Sequence, residues 1–243
     1  MEFKAHLAQL PIFAPRTDLP SRDDDVGRVL QHPTVKCVRS FALGPEGTNI
    51  AQASTRWINR LGLSNKSSMQ LCASPEDAVD RAREYTSPGR IGVFWTCAVY
   101  YREKDIFFGN PDAIPFFSQQ RMPLDTMQLA VPLRVVEDFA RGVPRGLRIA
   151  SHPSPSGLLR ALDACVVSAR SNAHAAELCA VGEVDACLTT ETARARHGLH
   201  SIHIFGAPEM VFFAGLTESG AQLVGEIWAD QMKQATSSGA TRR

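Results

Sequence analysis

The sequence predicts an α/β fold, and three observations lead to this prediction. From residue 150 onward, short apolar strands alternate with alanine-rich helical segments and short polar loops, a pattern typical of largely parallel sheets. Near residue 45, an apolar strand runs through a turn with two glycines and a proline into another alanine-rich helix. The chain has 243 residues, of which 44% are hydrophobic, so one or two globular domains can bury a substantial core.

The first half of the chain predicts three strands joined by two helices. Strands are expected at residues 35–43, 68–72 and 90–94, and helices at 48–61 and from 75. Thr48 or Asn49 can cap the first helix, and Gly62 ends it. Ser74 caps the second helix, with Pro75 at the first helical position and acidic residues in the first turn.

The second half predicts further strands and helices in alternation. A strand at residues 127–136 is expected to pair with a strand at 147–150 across a Gly/Pro loop. The remaining predicted strands are 165–167, 185–188, 202–205 and 210–214, and the predicted helices are 158–162, 173–181, 192–196 and 218–234. The last helix carries an apolar stripe. This stripe predicts packing on the body of the protein or on another subunit, and the second alternative would give a homodimer.

Composition and charge argue against two classes of partner, nucleic acids and membranes. The formal net charge is +1, which argues against a nucleic-acid surface built on bulk electrostatics. No apolar run approaches the roughly 18 residues of a membrane span, and residues 1–20 lack the layout of a signal peptide. We therefore expect a cytoplasmic protein with neither nucleic acid nor membrane as a partner.

The cysteines and histidines predict neither a disulfide framework nor a metal site. The six cysteines occur singly, without a C-x-x-C pair, and are expected to be buried free thiols. His197, His200 and His203 lie in a segment that reads as helix end, glycine and strand, so they would not share one face. No metal and no cofactor are predicted.

Four predicted loops join the end of a strand to the start of a helix, and all are rich in hydroxyl side chains. They lie at residues 44–48, 151–156, 168–172 and 189–191. Open α/β sheets bind ligands at this edge, and helix N-termini attract anions. The first loop lacks the Gly-Lys-Ser/Thr ending of a Walker loop. Ordinary capping would explain each loop alone, but together they predict a site for a small dicarboxylic acid.

The Gly-Pro-Glu-Gly-Thr sequence at 44–48 resembles the opening motif of the prephenate dehydratase family. Further likenesses follow in the family's order. They are Ser-His-Pro at 151–153, the small-residue helix start at 168–176, and Thr-Thr-Glu at 189–191 with His-Gly-Leu at 197–199. The resemblance covers about residues 37–215 and implies a fold of two α/β lobes like type II periplasmic binding proteins, with the substrate in the cleft.

This resemblance implies three regions. Residues 1–35, with several prolines and an acidic run, are expected to form an irregular N-terminal arm in which 3–10 is the candidate for a short helix. Residues 36–215 form the two-lobed domain, with lobe 1 at about 36–121 plus 201–215 and lobe 2 at about 122–200. Residues 216–243 hold the C-terminal helix and, from 237, a disordered tail.

Two departures from the family have a chemical meaning. The threonine-arginine-phenylalanine motif of the closing strand is missing from residues 208–213, and Trp95-Thr96-Cys97-Ala98 replaces a glutamate-asparagine-serine motif. Nor does the sequence after Gly215 leave room for the family's regulatory domain. Prephenate dehydratases expel the ring carboxylate and the ring hydroxyl of prephenate together. Without a donor that protonates this hydroxyl, carbon dioxide would leave prephenate and the hydroxyl would stay on the ring. The chain therefore resembles the bacilysin-type prephenate decarboxylase branch, which implies a lyase of a specialised amino acid pathway.

Two alternatives stay open beside this decarboxylase. One is a prephenate dehydratase that gives phenylpyruvate by means of other residues. The other is a non-catalytic protein that binds a small acid, for which hydroxyls and aromatic rings would suffice.

The resemblance and the loops together define the candidate site residues. Carboxylate binding is assigned to Thr48, Ser154, Ser168 and Thr189, and the full set of substrate-binding candidates is Gly47, Thr48, Trp95, Thr96, Ser151, Ser154, Ser168, Arg170, Thr189 and Thr190. The catalytic candidates are His152 and Glu191 as proton donors. His152 is preferred because its unperturbed pKa lies near neutrality, although a loop-stabilising hydrogen bond would also explain it. Arg170 or Arg194 can hold a second carboxylate, with an ordinary surface role as the alternative.

Overall fold

The computed structural model describes residues 18–142 and 145–240. The described chain divides into two compact units, the first with residues 18–98, 102–120 and 211–240, the second with Val99–Tyr101 and Arg121–Met210. The strands are β1 Cys37–Leu43, β2 Ser67–Cys72, β3 Arg90–Cys97, β4 Ala113–Pro123, β5 Met127–Val131, β6 Leu147–Ser151, β7 Ala164–Ser168, β8 Ala186–Thr190, β9 His200–Gly206 and β10 Glu209–Thr217. The helices are α1 Asp23–Gln31, α2 Asn49–Arg60, α3 Pro75–Tyr85, α4 Glu103–Gly109, α5 Val136–Arg141, α6 Asn172–Ala180, α7 Glu191–Arg196 and α8 Glu218–Ala240. The predicted α/β class is confirmed.

The first unit is built on a five-stranded sheet in the order β2-β1-β3-β10-β4. Strand β1 runs parallel to both β2 and β3, whereas β10 is antiparallel to β3. The predicted caps are present, because the hydroxyls of Thr48 and Ser74 accept hydrogen bonds from backbone N–H groups in the first turns of α2 and α3. Large side chains without exposed surface, among them Trp57, Phe94 and Trp95, form the core of this unit.

The second unit is built on another five-stranded sheet, in the order β7-β6-β8-β5-β9. Strand β6 is parallel to β7 and β8, and β5 is antiparallel to β8 and β9. The predicted pairing of residues 127–136 with 147–150 is therefore wrong. After β5 the chain forms a 3-10 turn at Leu133–Val135 and then α5, so the two strands are not joined as a hairpin and β8 lies between them.

Alternation along the strands of the second sheet gives this unit a core on each face. Ala130, Ala150 and Cys187 pack with the buried face of α6, while their strand neighbours Ile149 and Leu188 pack into the opposite cluster with Leu159. Successive side chains of a strand point to opposite faces. The small residues on the α6 side allow the helix to approach the sheet closely.

The boundaries of the units differ from the predicted lobes at the return crossing. The chain enters the second unit after Gln120, near the predicted crossing at 122, and leaves it after Met210 rather than near residue 201. The reason is that β9 hydrogen-bonds to β5 and so belongs to the second sheet.

Both ends of the described chain are more ordered than the sequence predicted. Residues 23–31 form α1 instead of an irregular arm, with Val29 and Leu30 fully buried and Asp25 paired with Arg22 and Arg28. The candidate helix at 3–10 lies outside the described residues. Helix α8 continues to Ala240, past the predicted start of the disordered tail.

Two of the six cysteines are exposed, although all were predicted to be buried. Cys37 and Cys165 lie at exposed strand positions, while the other four thiols are buried.

In residues 18–142 and 145–240, no helix is both long and apolar enough to cross a membrane.

Candidate functional site

Three of the four predicted loops meet in the second unit. Strands β6, β7 and β8 end side by side, with Ser151 paired to Ser168 on one side and to Leu188 on the other. Neighbouring strands lie about 4.8 Å apart, so the loops that follow these strands form one polar edge. A further bond of 2.9 Å, from the N–H of Ala169 to the carbonyl of Ser151, ties two of the loops together.

His152 is the most constrained titratable group at this edge. Its Nδ1 accepts a hydrogen bond of 3.3 Å from the N–H of Ser154, and its ring meets the ring of Tyr101 edge-on at a centroid distance of 5.7 Å. Burial lowers the pKa of His152 from its ordinary value of 6.5, because the charged ring loses solvation. At neutral pH the imidazole is therefore mostly uncharged, with its proton on Nε2.

Three serines lie at the end of β6 and in the loop after it, and they differ in what their hydroxyls do. Ser151 donates to the carbonyl of His152 at 2.8 Å, and Ser156 donates to that of Pro153 at 2.7 Å. Ser154 precedes the 3-10 turn Pro155–Leu159 but makes no capping bond. Ser154 is half-buried, whereas Ser151 supports the loop from a buried position.

The loop after β7 leads into α6. Ser171 caps this helix by accepting a hydrogen bond of 3.0 Å from the N–H of His174. Ser168 itself is exposed at the end of β7. The backbone N–H of Arg170 donates to Nδ1 of His174 at 3.2 Å, and Arg170 is exposed.

Thr189 and Thr190, the last two residues of β8, use their hydroxyls in bonds within the fold, and the substrate-binding role predicted for them stays a prediction. Thr189 has no exposed surface and donates to the carbonyl of Asn172 at 2.7 Å. Thr190 caps α7 through a bond of 3.4 Å from the N–H of Ala193. Both side chains are thereby held by partners from the same unit.

An internal carboxylate already occupies the start of α7. Asp125 accepts a hydrogen bond of 3.0 Å from the N–H of Thr192, and the N–H of Glu191 donates to the carbonyl of Thr126 at 2.8 Å. The side chain of Glu191 is exposed. Arg194 donates to the carbonyl of Leu199 at 2.8 Å, whereas Arg170 is an exposed residue.

The remaining predicted loop, at residues 44–48 in the first unit, makes its hydrogen bonds within the loop and to the adjoining strand and helix. The hydroxyl of Thr48 donates to the carbonyl of Leu43 at 2.7 Å and accepts from the N–H of Ala51 at 3.3 Å. Gly47 has a φ of 87°, a conformation that favours glycine, and its carbonyl accepts from Gln52 at 3.1 Å. The turn has the predicted form, but the hydroxyl of Thr48 acts as a helix cap.

Trp95 and Thr96 lie in the core of the first unit, which does not suit the predicted contact with a substrate. Neither has exposed surface. The indole of Trp95 donates to Ser40 at 3.4 Å and meets Trp57 edge-on at 5.5 Å. The large apolar surface of the ring explains its burial, and the hydroxyl of Thr96 is taken up by Glu103.

Glu103 is a titratable residue that the sequence analysis missed. Thr96 donates to one of its carboxyl oxygens, while the other oxygen is buried without a hydrogen-bond partner. Burial raises the pKa of Glu103, and the nearby charge of Glu76 adds to this effect. No sequence signal marks it, because a glutamate at the start of a short helix is ordinarily solvated.

In the described part of the chain, no three His, Cys, Asp or Glu side chains converge as metal ligands would. The polar edge of the second unit, with His152, Ser154 and Arg170, is the candidate site because the ends of β6, β7 and β8 meet there. Its groups are hydrogen-bond donors and one cation, a set suited to carboxylate oxygens.

Comparison with known proteins supports the fold. No protein-family model matches the chain, and no curated protein matches it. The periplasmic VFT2 domain of Bordetella pertussis BvgS is similar with a TM-score of 0.51 and 14% identity, over 87% of this chain and 92% of that domain. This likeness shows an α/β fold of the type II periplasmic-binding-protein class, as the sequence resemblance implied.

Two other solved structures are similar at lower TM-scores. One is an ancestral amino-acid-binding protein described as a precursor of cyclohexadienyl dehydratase, with a TM-score of 0.44, 12% identity, and coverage of 82% of this chain and 90% of that one. The other is GqqA, described as a novel type of quorum quenching acylase, with a TM-score of 0.40 and 14% identity over 74% of this chain. The chain spans 64% of the length of GqqA.

Proposed function

We propose that the chain binds a small organic acid at the polar edge of its second unit. The observation that carries this proposal is the fixed imidazole of His152, whose Nδ1 accepts from the backbone N–H of Ser154. Its Nε2–H is thereby oriented as a donor. The hydroxyl of Ser154 lies on the same loop, and a carboxylate can accept from both groups.

A second carboxylate of the ligand would pair with Arg170. Its guanidinium is exposed at the end of the adjacent β7 loop, and guanidinium binds a carboxylate through two parallel hydrogen bonds. A dicarboxylic acid is therefore a better ligand for this edge than a monocarboxylic acid of the same size.

For the ligand and the reaction, we propose prephenate or a close analogue and its non-aromatising decarboxylation. The support is the motif likeness at 44–48, 151–153 and 189–191 and the lack of the threonine-arginine pair at 208–213. In this reaction the bond to the ring carboxylate breaks, its electron pair moves into the ring, and a ring carbon takes a proton from water.

The state of His152 favours decarboxylation over dehydration. Expulsion of the hydroxyl from the prephenate ring needs a proton donor. The imidazole of His152, whose pKa is lowered by burial, carries little positive charge at neutral pH. A neutral Nε2–H can still hold a carboxylate or the hydroxyl by a hydrogen bond. The residue thus acts as a positioning donor, and the hydroxyl remains on the product.

The test is incubation of the protein with prephenate near neutral pH, with product mass and ultraviolet spectra as readouts. Prephenate aromatises by itself in acid, so a reaction without enzyme is the control. We expect a product of the mass of prephenate minus carbon dioxide, with a non-aromatic ring. Enzyme-dependent phenylpyruvate would instead identify a dehydratase. Saturable protection against heat without turnover would identify a non-catalytic binding protein.

A further inference from the structure

Tyr101 lies in the short segment Val99–Tyr101, which belongs to the second unit although the residues before and after the segment belong to the first. The segment Val99–Tyr101 follows β3 and packs with residues Arg121–Met210. The sequence analysis assigned no role to this segment. Its placement brings an aromatic side chain to the same unit as the proposed acid site.

The ring of Tyr101 is partly open although it is held on two sides. It meets His152 at a centroid distance of 5.7 Å and an interplanar angle of 76°, and Tyr100 at 5.2 Å and 70°. Even so, 53% of the residue is exposed. The two edge-on contacts fix the ring, and the rest of it remains available to another molecule.

We infer that Tyr101 is a specificity-determining residue that forms an apolar wall for the ring of the bound acid, an inference that rests on the proposed function. The imidazole of His152 is in contact with the ring of Tyr101. A carboxylate that accepts a hydrogen bond from this imidazole therefore lies close to Tyr101. The carbon skeleton of that acid is then within van der Waals reach of the Tyr101 ring. Aromatic faces and edges attract a flat unsaturated ring, whereas a short acyclic acid cannot cover them.

The same contact gives Tyr101 a measurable effect on its neighbour. The ring of Tyr101 packs against the imidazole and excludes water from that side, and exclusion of water disfavours the charged form of histidine. The direction of the His152 pKa, which lies below the ordinary value, agrees with this shielding. No charged group contributes to the shift, since burial is its sole cause.

The experiment compares phenylpyruvate with pyruvate, which carry the same 2-oxo acid group and differ by the ring, together with prephenate. Binding is measured by titration calorimetry, with competition for the weaker acid. Tyr101→Ala should weaken binding of phenylpyruvate and prephenate about three- to tenfold, and that of pyruvate less than twofold. In Tyr101→Phe, the affinity for phenylpyruvate and for prephenate should lie within about twofold of that of the parent protein. Phe108→Ala, which removes a 74% exposed aromatic ring of α4, is the matched control and should change neither affinity.

A second readout follows the ring proton of His152 by NMR titration. Tyr101→Ala should raise the His152 pKa toward 6.5, and Tyr101→Phe should not. Equal weakening of pyruvate and phenylpyruvate in Tyr101→Ala, or no weakening of either, would overturn the role of Tyr101 while leaving the acid site standing. If the unmodified protein binds none of the three acids, the proposed function fails and the inference fails with it.

Discussion

The backbone N–H of Ser154 donates a hydrogen bond of 3.3 Å to Nδ1 of His152. This bond fixes the tautomer of a half-buried ring, so that in the neutral state the remaining proton lies on Nε2. An unperturbed histidine titrates near neutrality, and on sequence alone His152 is therefore the preferred acid. The structure favours a donor that does not change charge during binding.

Substitutions that mimic one ring nitrogen at a time test this role. A hydrogen bond to a charged group contributes about 1.5–3 kcal/mol, so His152→Ala should weaken binding of prephenate roughly tenfold or more. In His152→Gln, the amide nitrogen can replace Nε2 and should recover part of the affinity. His152→Asn, which reaches only as far as Nδ1, is the matched control. Calorimetry at pH 7.5 would measure all three, and unchanged affinity in His152→Ala would exclude the donor role.

The lowered pKa of His152 also predicts a direction for stability against pH. The imidazole of His152 takes up its second proton more readily in the unfolded chain than in the folded protein. The free energy of unfolding should therefore fall as the pH drops below 6.5 toward the pKa of His152 in the folded protein. Above 6.5 the contribution is fully present. In His152→Gln this part of the acid sensitivity should vanish. Differential scanning calorimetry between pH 5 and 7.5 measures it, and identical pH profiles for the two proteins would contradict an abnormal His152.

Asp125 should be needed for the start of α7. Its carboxylate accepts from the N–H of Thr192 at 3.0 Å, beside the cap that Thr190 provides, and a hydrogen bond to a charged group contributes about 1.5–3 kcal/mol. Asp125→Ala should therefore increase amide hydrogen exchange in α7, while Asp125→Asn retains an acceptor and should lose less protection. Exchange in α6, which has its own cap in Ser171, serves as the internal reference. Equal protection of α7 in all three proteins would show that the bond is dispensable.

Local signals in the sequence predicted most elements and several caps. Thr48 and Ser74 were identified because capping depends on the residue itself and the next few positions. The pairing of β5 with β8 and β9 was missed, because strand order depends on contacts between distant segments. In the same way, the bond from the hydroxyl of Thr189 to the carbonyl of Asn172 joins two separate segments and has no local signal in the sequence.

The candidate site was predictable only in part. His152 and Ser154 lie in a loop that the motif analysis singled out, and they remain in the site. Trp95 was chosen for its chemistry, but burial decided its role in the core, and burial cannot be read from one position. The partnership of His152 with Tyr101 joins segments about fifty residues apart, and no periodic pattern connects them.

Glu103 should make the first unit less stable as the pH rises. Burial raises its pKa above the ordinary value of 4.5, so the folded state binds the proton more tightly than the unfolded chain. The resulting stability is fully present below about 4.5 and is lost as the pH rises through the folded pKa. Glu103→Gln keeps an acceptor for Thr96 and carries no charge. It should therefore be at least as stable as the parent at pH 7, with a flatter profile.

Tryptophan fluorescence suits this measurement, because Trp57, Trp95 and Trp228 all belong to the first unit. Urea unfolding at pH 4.5 and 7 would be compared between the parent and Glu103→Gln. Glu191→Gln, which changes an exposed glutamate of the second unit, is the control. A large loss of stability in Glu103→Gln at pH 7 would indicate an ionised carboxylate with a favourable partner and would refute the assignment.

Gly215 should tolerate no side chain, because the ring of Phe94 occupies the space above it. The two residues are paired across β10 and β3, and a Cβ on Gly215 would overlap the ring carbons of Phe94. Phe94 has no exposed surface, so its ring cannot swing into solvent to make room. Overpacking a filled core costs about 1–3 kcal/mol, and Gly215→Ala should destabilise the first unit by at least that amount in urea unfolding followed by tryptophan fluorescence.

Two further variants separate this clash from other effects of alanine. Gly109→Ala is the control, because a Cβ there meets nothing within 4 Å, and its stability should stay within about 0.5 kcal/mol of the parent. Phe94→Leu combined with Gly215→Ala should be less destabilised than the sum of the two single changes, since the smaller side chain leaves room for the new methyl group. Additive losses would show that the ring and the glycine are not coupled, and a neutral Gly215→Ala would show that the ring moves aside freely.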